Sequence, residues 1–158
     1  MRGVINLKNK VLKCEDLEVY GHEILELLID VYKTNFDFPR EQCVSTCKEK
    51  LEKLYEYIKD GSAIIIGAFL DEQLLGIVWL YKKEVYNELY LHVNQLVVKS
   101  EHRGKGIGKE LIFEAEKQAK LFNAKYLELY VIEENKSALG LYNNMGFETK
   151  KRYMIKKL

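Results

Sequence analysis

Apolar positions along the chain recur with two distinct periods. A spacing near 3.6 residues marks one helix through Ile24, Leu27, Leu28 and Val31, with Tyr32 and Phe36 beyond it. A second helix covers residues 40–59, where Val44, Cys47, Leu51, Leu54 and Ile58 form one stripe, and Asp60 and Gly61 end it. The only proline, Pro39, sits between the two. Period-two and fully apolar runs follow: "SAIIIGAFL" and "LLGIVWLYKK", parted by the polar "DEQ", predict an antiparallel hairpin. "LYLHVNQLVV", residues 89–98, is rich in β-branched and aromatic side chains and predicts a further strand. A long helix from Gly106 to Asn123 places Ile107, Leu111, Ala115, Ala119 and Phe122 inward. "KYLELYVI" reads as a strand, residues 137–145 as a short helix, and "FETKKRYMIKKL" as a final strand; the weak alternation of "GVINLK", residues 3–8, predicts the first. The order β, α, α, β, β, β, α, β, α, β makes an α/β (α+β) chain, a mixed sheet carrying helices.

Composition narrows the classes. With 158 residues, 47% hydrophobic and 31% charged, residues 1–158 form one domain with a single core's worth of apolar surface. No apolar run approaches the roughly 20 residues that cross a membrane, and "MRGVINLKNK" lacks the apolar stretch of a signal peptide, so a cytoplasmic location is expected. A net charge of +1 argues against a nucleic-acid binder with a wholly basic surface. Charge is unevenly spread: acids outnumber bases between residues 15 and 60, whereas Lys150, Lys151, Arg152, Lys156 and Lys157 crowd the C-terminal stretch. Cys14, Cys43 and Cys47 are expected to be buried or incidental free thiols, since no histidine completes metal-ligand spacing around them; no metal is expected.

The densest chemical signal is "HRGKGIGKEL", residues 102–111, which places Gly104, Gly106 and Gly108 where a helix begins. Each glycine costs about 1 kcal/mol against alanine inside a helix, so their gain must come from elsewhere. A strand, a tight glycine loop and a helix N-terminus together offer backbone N–H groups to an anion, and Arg103, Lys105 and Lys109 add positive charge. A P-loop requires Gly-Lys-Ser/Thr, but Glu110 follows Lys109. A dinucleotide fingerprint requires Gly-x-Gly-x-x-Gly, and here the third glycine comes one residue early.

The remaining pattern, Arg-x-x-Gly-x-Gly at Arg103, Gly106 and Gly108 within "LVVKSEHRGKGIGKELI", resembles the acyl-coenzyme A signature of the GNAT superfamily of N-acetyltransferases. "LELYVIEENKSALGLYNNMGFE", residues 127–148, resembles the second signature of that family. The resemblance implies a mostly antiparallel, splayed sheet flanked by helices, and an enzyme that moves an acetyl group from acetyl-coenzyme A to a primary amine of a small molecule or peptide in a ternary complex. A module that binds acyl-coenzyme A without turnover is the alternative. It further implies that the amides and cations of Arg103, Gly104, Lys105, Gly106, Ile107, Gly108 and Lys109 hold the pyrophosphate of the cofactor. The pantetheine arm then pairs near Leu96, Val97 and Val98, with the Val98 N–H facing the oxyanion. Dimerisation through outer strands is common in the family.

By the same resemblance Tyr142 protonates the leaving sulfur, against the plainer alternative that it packs beside Leu141 and Met145. Asn135 either caps the short helix or hydrogen-bonds the cofactor, or does both. Many relatives carry a glutamate base in the central strand, but alternation here puts His92, Asn94, Leu96 and Val98 on one face. His92 accepts a proton at neutral pH, Glu133 is a second candidate base, and either is equally readable as structural or solvated. His102 is assigned packing. The acceptor groove is expected beside "TNFDFPREQ", with Phe36 and Phe38 as walls or core anchors and Asp37 or Glu41 attracting a cation, and open on the side of the C-terminal strand.

Overall fold

Two strands read as nearly unbroken apolar runs because both of their faces are covered. The computed structural model describes residues 7–36 and 38–158. In it β2 (Ala63–Leu70) is buried through Phe69 and β3 (Gln73–Val85) is buried from Leu74 to Leu80. They are flanked by β1 (Leu7–Leu12) and β4 (Glu88–Val98), with β5 (Tyr126–Leu129) beyond β4, in the order β1-β2-β3-β4-β5. The first three pairings are antiparallel and the β4–β5 pairing is parallel, as expected of a mixed sheet.

Helices α1 (Cys14–Asn35) and α2 (Arg40–Lys59) cover one face, where Ile24, Leu28, Cys43, Cys47 and Leu54 meet Ile65, Ile77, Trp79 and Val97. Helix α3 (Ile107–Leu121) covers the other, laying Ile107, Leu111, Ile112 and Ala115 on Ile66, Val78, Leu80, Leu91 and Val93. Helix α4 (Lys136–Asn144) adds Tyr142 to that second layer. Cys43 and Cys47 are fully buried, as their place in the apolar stripe of α2 requires. Among the described residues no helix is long and apolar enough to cross a membrane.

Three expectations are corrected. Among the described residues the first strand covers Leu7–Leu12, running four residues past the expected end at residue 8, while residues 3–6 of the expected strand lie outside the described residues. It is an edge strand, so its alternation is diluted by the lysines at 8 and 10. The expected final strand does not form: residues 149–158 are exposed and carry no strand, with Tyr153 90% and Ile155 82% accessible. A strand needs a neighbour for its backbone groups; β5 is only four residues long, and the tail's lysines and arginine are better solvated than packed.

The third correction concerns β4. Trp79 pairs with Gln95 and Leu80 with Val93, which leaves Asn94 as an unpaired bulge. The bulge inverts the alternation, so His92 does not share a face with Leu96 and Val98. Leu91 and Val93 before it, and Leu96 and Val98 after it, all lie in the α3 layer, whereas Val97 joins the α1/α2 layer. His92 is therefore on the α1/α2 face.

Candidate active site

The glycine loop is built around two left-handed residues. Gly104 and Gly106 have φ of +72° and +86°, and a Cβ added to either would meet nothing within 4 Å. The conformation demands glycine, and the space outside it is open to a ligand. Gly106 is the N-cap of α3 and supplies no side-chain cap bond, so the first-turn amides of Ile107, Gly108 and Lys109 face outward without one. Such a helix end carries about half a positive charge. Lys105 and Lys109 are exposed beside it. Gly108 brings three elements to one point: an added methyl would lie 3.5 Å from Leu141, 3.9 Å from Leu96 and 4.0 Å from Val98.

Arg103 makes contacts that the sequence did not announce. Its Nε donates to the Val98 carbonyl at 2.9 Å and its Nη2 to Asp30 Oδ2 at 2.6 Å. The guanidinium thus braces the end of β4 against α1. Both partners are about half exposed, so the ion pair contributes at most about 1 kcal/mol, and its value is geometric.

Beyond the bulge β4 leaves β5. Their pairing ends at Val93 with Leu129, so residues 94–98 of β4 have no β5 partner. The Lys99 N–H donates to Leu75 of β3 at 2.8 Å, and backbone groups alternate along a strand. Leu96 and Val98 therefore turn their N–H and carbonyl groups to the gap, while those of Val97 turn to β3. Val97 is also buried at the side chain, which leaves the outward groups of Leu96 and the Val98 N–H as the open edge, the Val98 carbonyl being taken by Arg103.

Tyr142 packs its ring 5.5 Å from Phe147, edge to face, and burial pushes its phenol up to about 12. It stays protonated at neutral pH. Asn135 does cap α4: its Oδ1 accepts the Ala138 N–H at 3.1 Å.

On the opposite face a cavity of about 520 Å³ is lined by Tyr57, Ser62, Tyr81, Lys83, His92 and Tyr130. Burial, then the neighbouring Tyr57, pushes the Tyr81 phenol up to about 12. His92 Nδ1 lies 3.2 Å from Glu128 Oε1, and Lys83 Nζ lies 2.9 Å from the same oxygen. The Tyr130 ring sits 5.0 Å from the imidazole. Glu128 escaped the sequence reading; its only signal was a lone acid in an apolar and aromatic strand, meaningful once the parallel register sets it opposite His92. Glu133 lies outside this cluster, exposed and 3.9 Å from Lys136. His102 is half-buried in a short 3-10 turn, Ser100–His102.

The linker between α1 and α2 presents Phe36 and Phe38 stacked on one another at 5.3 Å and 10°, each 43% exposed, so they lie at the surface and are not core anchors. Asp37 lies outside the described residues, and Glu41 stands beside Arg40 and Lys48 in a shallow depression on α2.

The arrangement is shared with known proteins. The model of the acetyltransferase (GNAT) family matches residues 21–147. The spermidine N(1)-acetyltransferase of Thermoplasma acidophilum is 30% identical over 152 residues, covering 91% of this chain and 89% of its own. A streptothricin acetyltransferase of Escherichia coli is 28% identical, over 84% of this chain and 74% of its own. The solved structure of PaiA N-acetyltransferase from Thermoplasma acidophilum in complex with coenzyme A superposes with a TM-score of 0.74 at 28% identity, covering 94% of this chain and 93% of that one. A loop of left-handed glycines feeding an uncapped helix, a central strand that parts from its neighbour and a match over most of the chain place this protein in the GNAT family of acyl-coenzyme A dependent N-acetyltransferases.

Proposed function

We propose that the protein transfers the acetyl group of acetyl-coenzyme A to a primary amine of a small molecule, the two substrates approaching from opposite faces of the sheet. The observation that carries this reading is the bulge at Asn94, which puts the open edge of Leu96 and Val98 on the glycine-loop side and His92 on the cavity side of one strand. The uncapped amides of Ile107, Gly108 and Lys109 suit the pyrophosphate, with Lys105 and Lys109 adding charge. The pantetheine arm fits as a short added strand along the edge beyond Val93. An outward N–H at Val98 suits the developing oxyanion.

The amine nitrogen, first freed of its ammonium proton to solvent, attacks the thioester carbonyl carbon; a C–N bond forms, the second proton on nitrogen passes to His92, and the C–S bond breaks with its electron pair on sulfur. Tyr142 acts on that sulfur as a hydrogen-bond donor. With the phenol at about 12, against about 8.5 for an ordinary thiol, complete proton transfer to the thiolate is uphill by about 5 kcal/mol. A donated hydrogen bond stabilises the departing charge without that cost, and solvent completes protonation. A small cationic amine is favoured by the names of the relatives, which act on spermidine and streptothricin.

The test is thiol release from acetyl-coenzyme A with spermidine, streptothricin, aminoglycosides, amino acids and N-terminal peptides. Turnover is expected on at least one small amine. Tight coenzyme A binding with no turnover on any acceptor would instead support a sensing or scaffolding module.

A further inference from the structure

We propose that Glu128 is a positioning residue, its carboxylate accepting the Nδ1–H of His92 so that the Nε2 lone pair is held as the base on the acceptor cavity. This rests on the reading of His92 as proton acceptor. His92 and Glu128 are register partners across β4 and β5, one rung before Val93 and Leu129, where the strands part. The pair therefore stands at the mouth of the gap in which amine and thioester meet.

A neutral imidazole has one N–H and one lone pair, and its neighbours decide which nitrogen carries which. An ionised carboxylate only accepts, so a nitrogen 3.2 Å from it is the one that bears hydrogen. Burial works against the ionised form of Glu128, but hydrogen bonds from Lys83 and His92 outweigh it and hold the carboxyl below its ordinary value. The other groups around the ring are Tyr81, the β3 register partner of His92, Tyr130 beside it, and Tyr57, Ser62, Lys82 and Lys83 around the cavity. No carboxylate lines the cavity itself among the described residues; Glu128 reaches it only through His92 and Lys83.

Lys83 gives Glu128 a second effect. Its ammonium shares the Glu128 oxygen with the imidazole, so without the carboxylate a fixed cation would face the imidazolium formed in the reaction. When Nε2 takes the amine proton, the new positive charge falls against Glu128; the proton then returns to solvent and the neutral ring is restored with Nδ1–H in place.

The test uses the full chain. Nitrogen-15 NMR of His92 in the ligand-free protein is expected to show the Nδ1–H tautomer, to keep it in Glu128→Gln, which still accepts a hydrogen bond, and to lose it in Glu128→Leu. With acetyl-coenzyme A and spermidine, Glu128→Leu should lower kcat by about 100-fold, the lower end of what general base catalysis supplies, with the KM for acetyl-coenzyme A unchanged. Glu128→Gln should fall between native and Glu128→Leu. In a His92→Ala background neither substitution should lower kcat further.

An unchanged tautomer in Glu128→Leu overturns the proposal while leaving His92 as base. Native kcat in His92→Ala overturns both. An equal kcat loss from the Glu128 variants with and without His92 assigns Glu128 to holding Lys83 and also overturns the proposal. Should Glu128→Leu fail to fold, a Glu128→Gln kcat equal to native, or equally reduced in the His92→Ala background, overturns it by itself.

Discussion

Replacing Gly106 by alanine separates what a glycine does for the fold from what it does for a ligand. The backbone there is left-handed, φ +86°, and the new methyl meets no protein atom within 4 Å. The stability cost is therefore conformational alone: about 1–2 kcal/mol for a side chain in that region, reduced by the smaller entropy of the unfolded alanine chain, or about 1 kcal/mol net. For a chain of this size that lowers Tm by about 2–4 °C. Gly61, in the turn after α2, has φ +79° and equally open surroundings, so Gly61→Ala should lose the same amount. Only Gly106→Ala also places a methyl at the anion's approach to the α3 amides. Losing one charge-assisted hydrogen bond costs about 1.5–3 kcal/mol, so the Kd for coenzyme A should rise about 10- to 100-fold. Thermal denaturation and titration calorimetry read the two effects separately. Native affinity in a folded Gly106→Ala, or an equal affinity loss in Gly61→Ala, would refute the reasoning.

Gly76→Ala should behave differently, because its Cβ would lie 2.6 Å from the Val97 carbonyl and 3.2 Å from the Val98 Cα, backbone that cannot step aside. A loss of about 1–3 kcal/mol is expected in urea denaturation. Asn135→Ala removes the cap on α4 and should cost about 1 kcal/mol, with faster hydrogen exchange at the Ala138 amide. Tyr142 has a folded pKa above its unfolded value of about 10, so its contribution to stability is fully present below about pH 10 and is lost as pH rises through about 12. Denaturation midpoints of Tyr142→Phe should accordingly fall less steeply than native ones across that alkaline range. The same variant should lower kcat with little change in coenzyme A binding.

The glycine loop was legible in the sequence because its conformational requirements are local. A left-handed turn demands glycine, and a helix that starts without a side-chain cap is visible as Gly106-Ile-Gly where serine or aspartate would serve the helix better. The apolar stripes of α1, α2 and α3 were legible for the same reason, burial of one face imposing a period, except that Phe122, read as the inward end of α3, is its exposed C-cap. What escaped depends on contacts between distant residues. Arg103 reaches Asp30 across 73 positions, and nothing near either one announces the pairing. Glu128 matters because a parallel register sets it beside His92. The turn joining β3 to β4 uses Tyr86 and Asn87 with positive φ and no glycine, so its chemistry was silent. Asn94 likewise carries no mark of a bulge, and strict alternation was the natural reading until pairing with β3 broke it. The tail carries a run of strand-forming residues, Tyr153, Met154 and Ile155, yet propensity without a neighbour is only a disposition.

The one-residue slip at Asn94 makes β4 a partition with two independently tunable chambers. On the proposed function, His92 upstream of it answers to the nucleophile and the edge of Leu96 and Val98 downstream of it to the acyl carrier. Deleting Asn94 would make Val93 and Gln95 consecutive opposite the consecutive Leu80 and Trp79, so both halves of β4 would keep their faces and only the local kink and added twist of the bulge, with the parting from β5 just beyond it, would be put at risk.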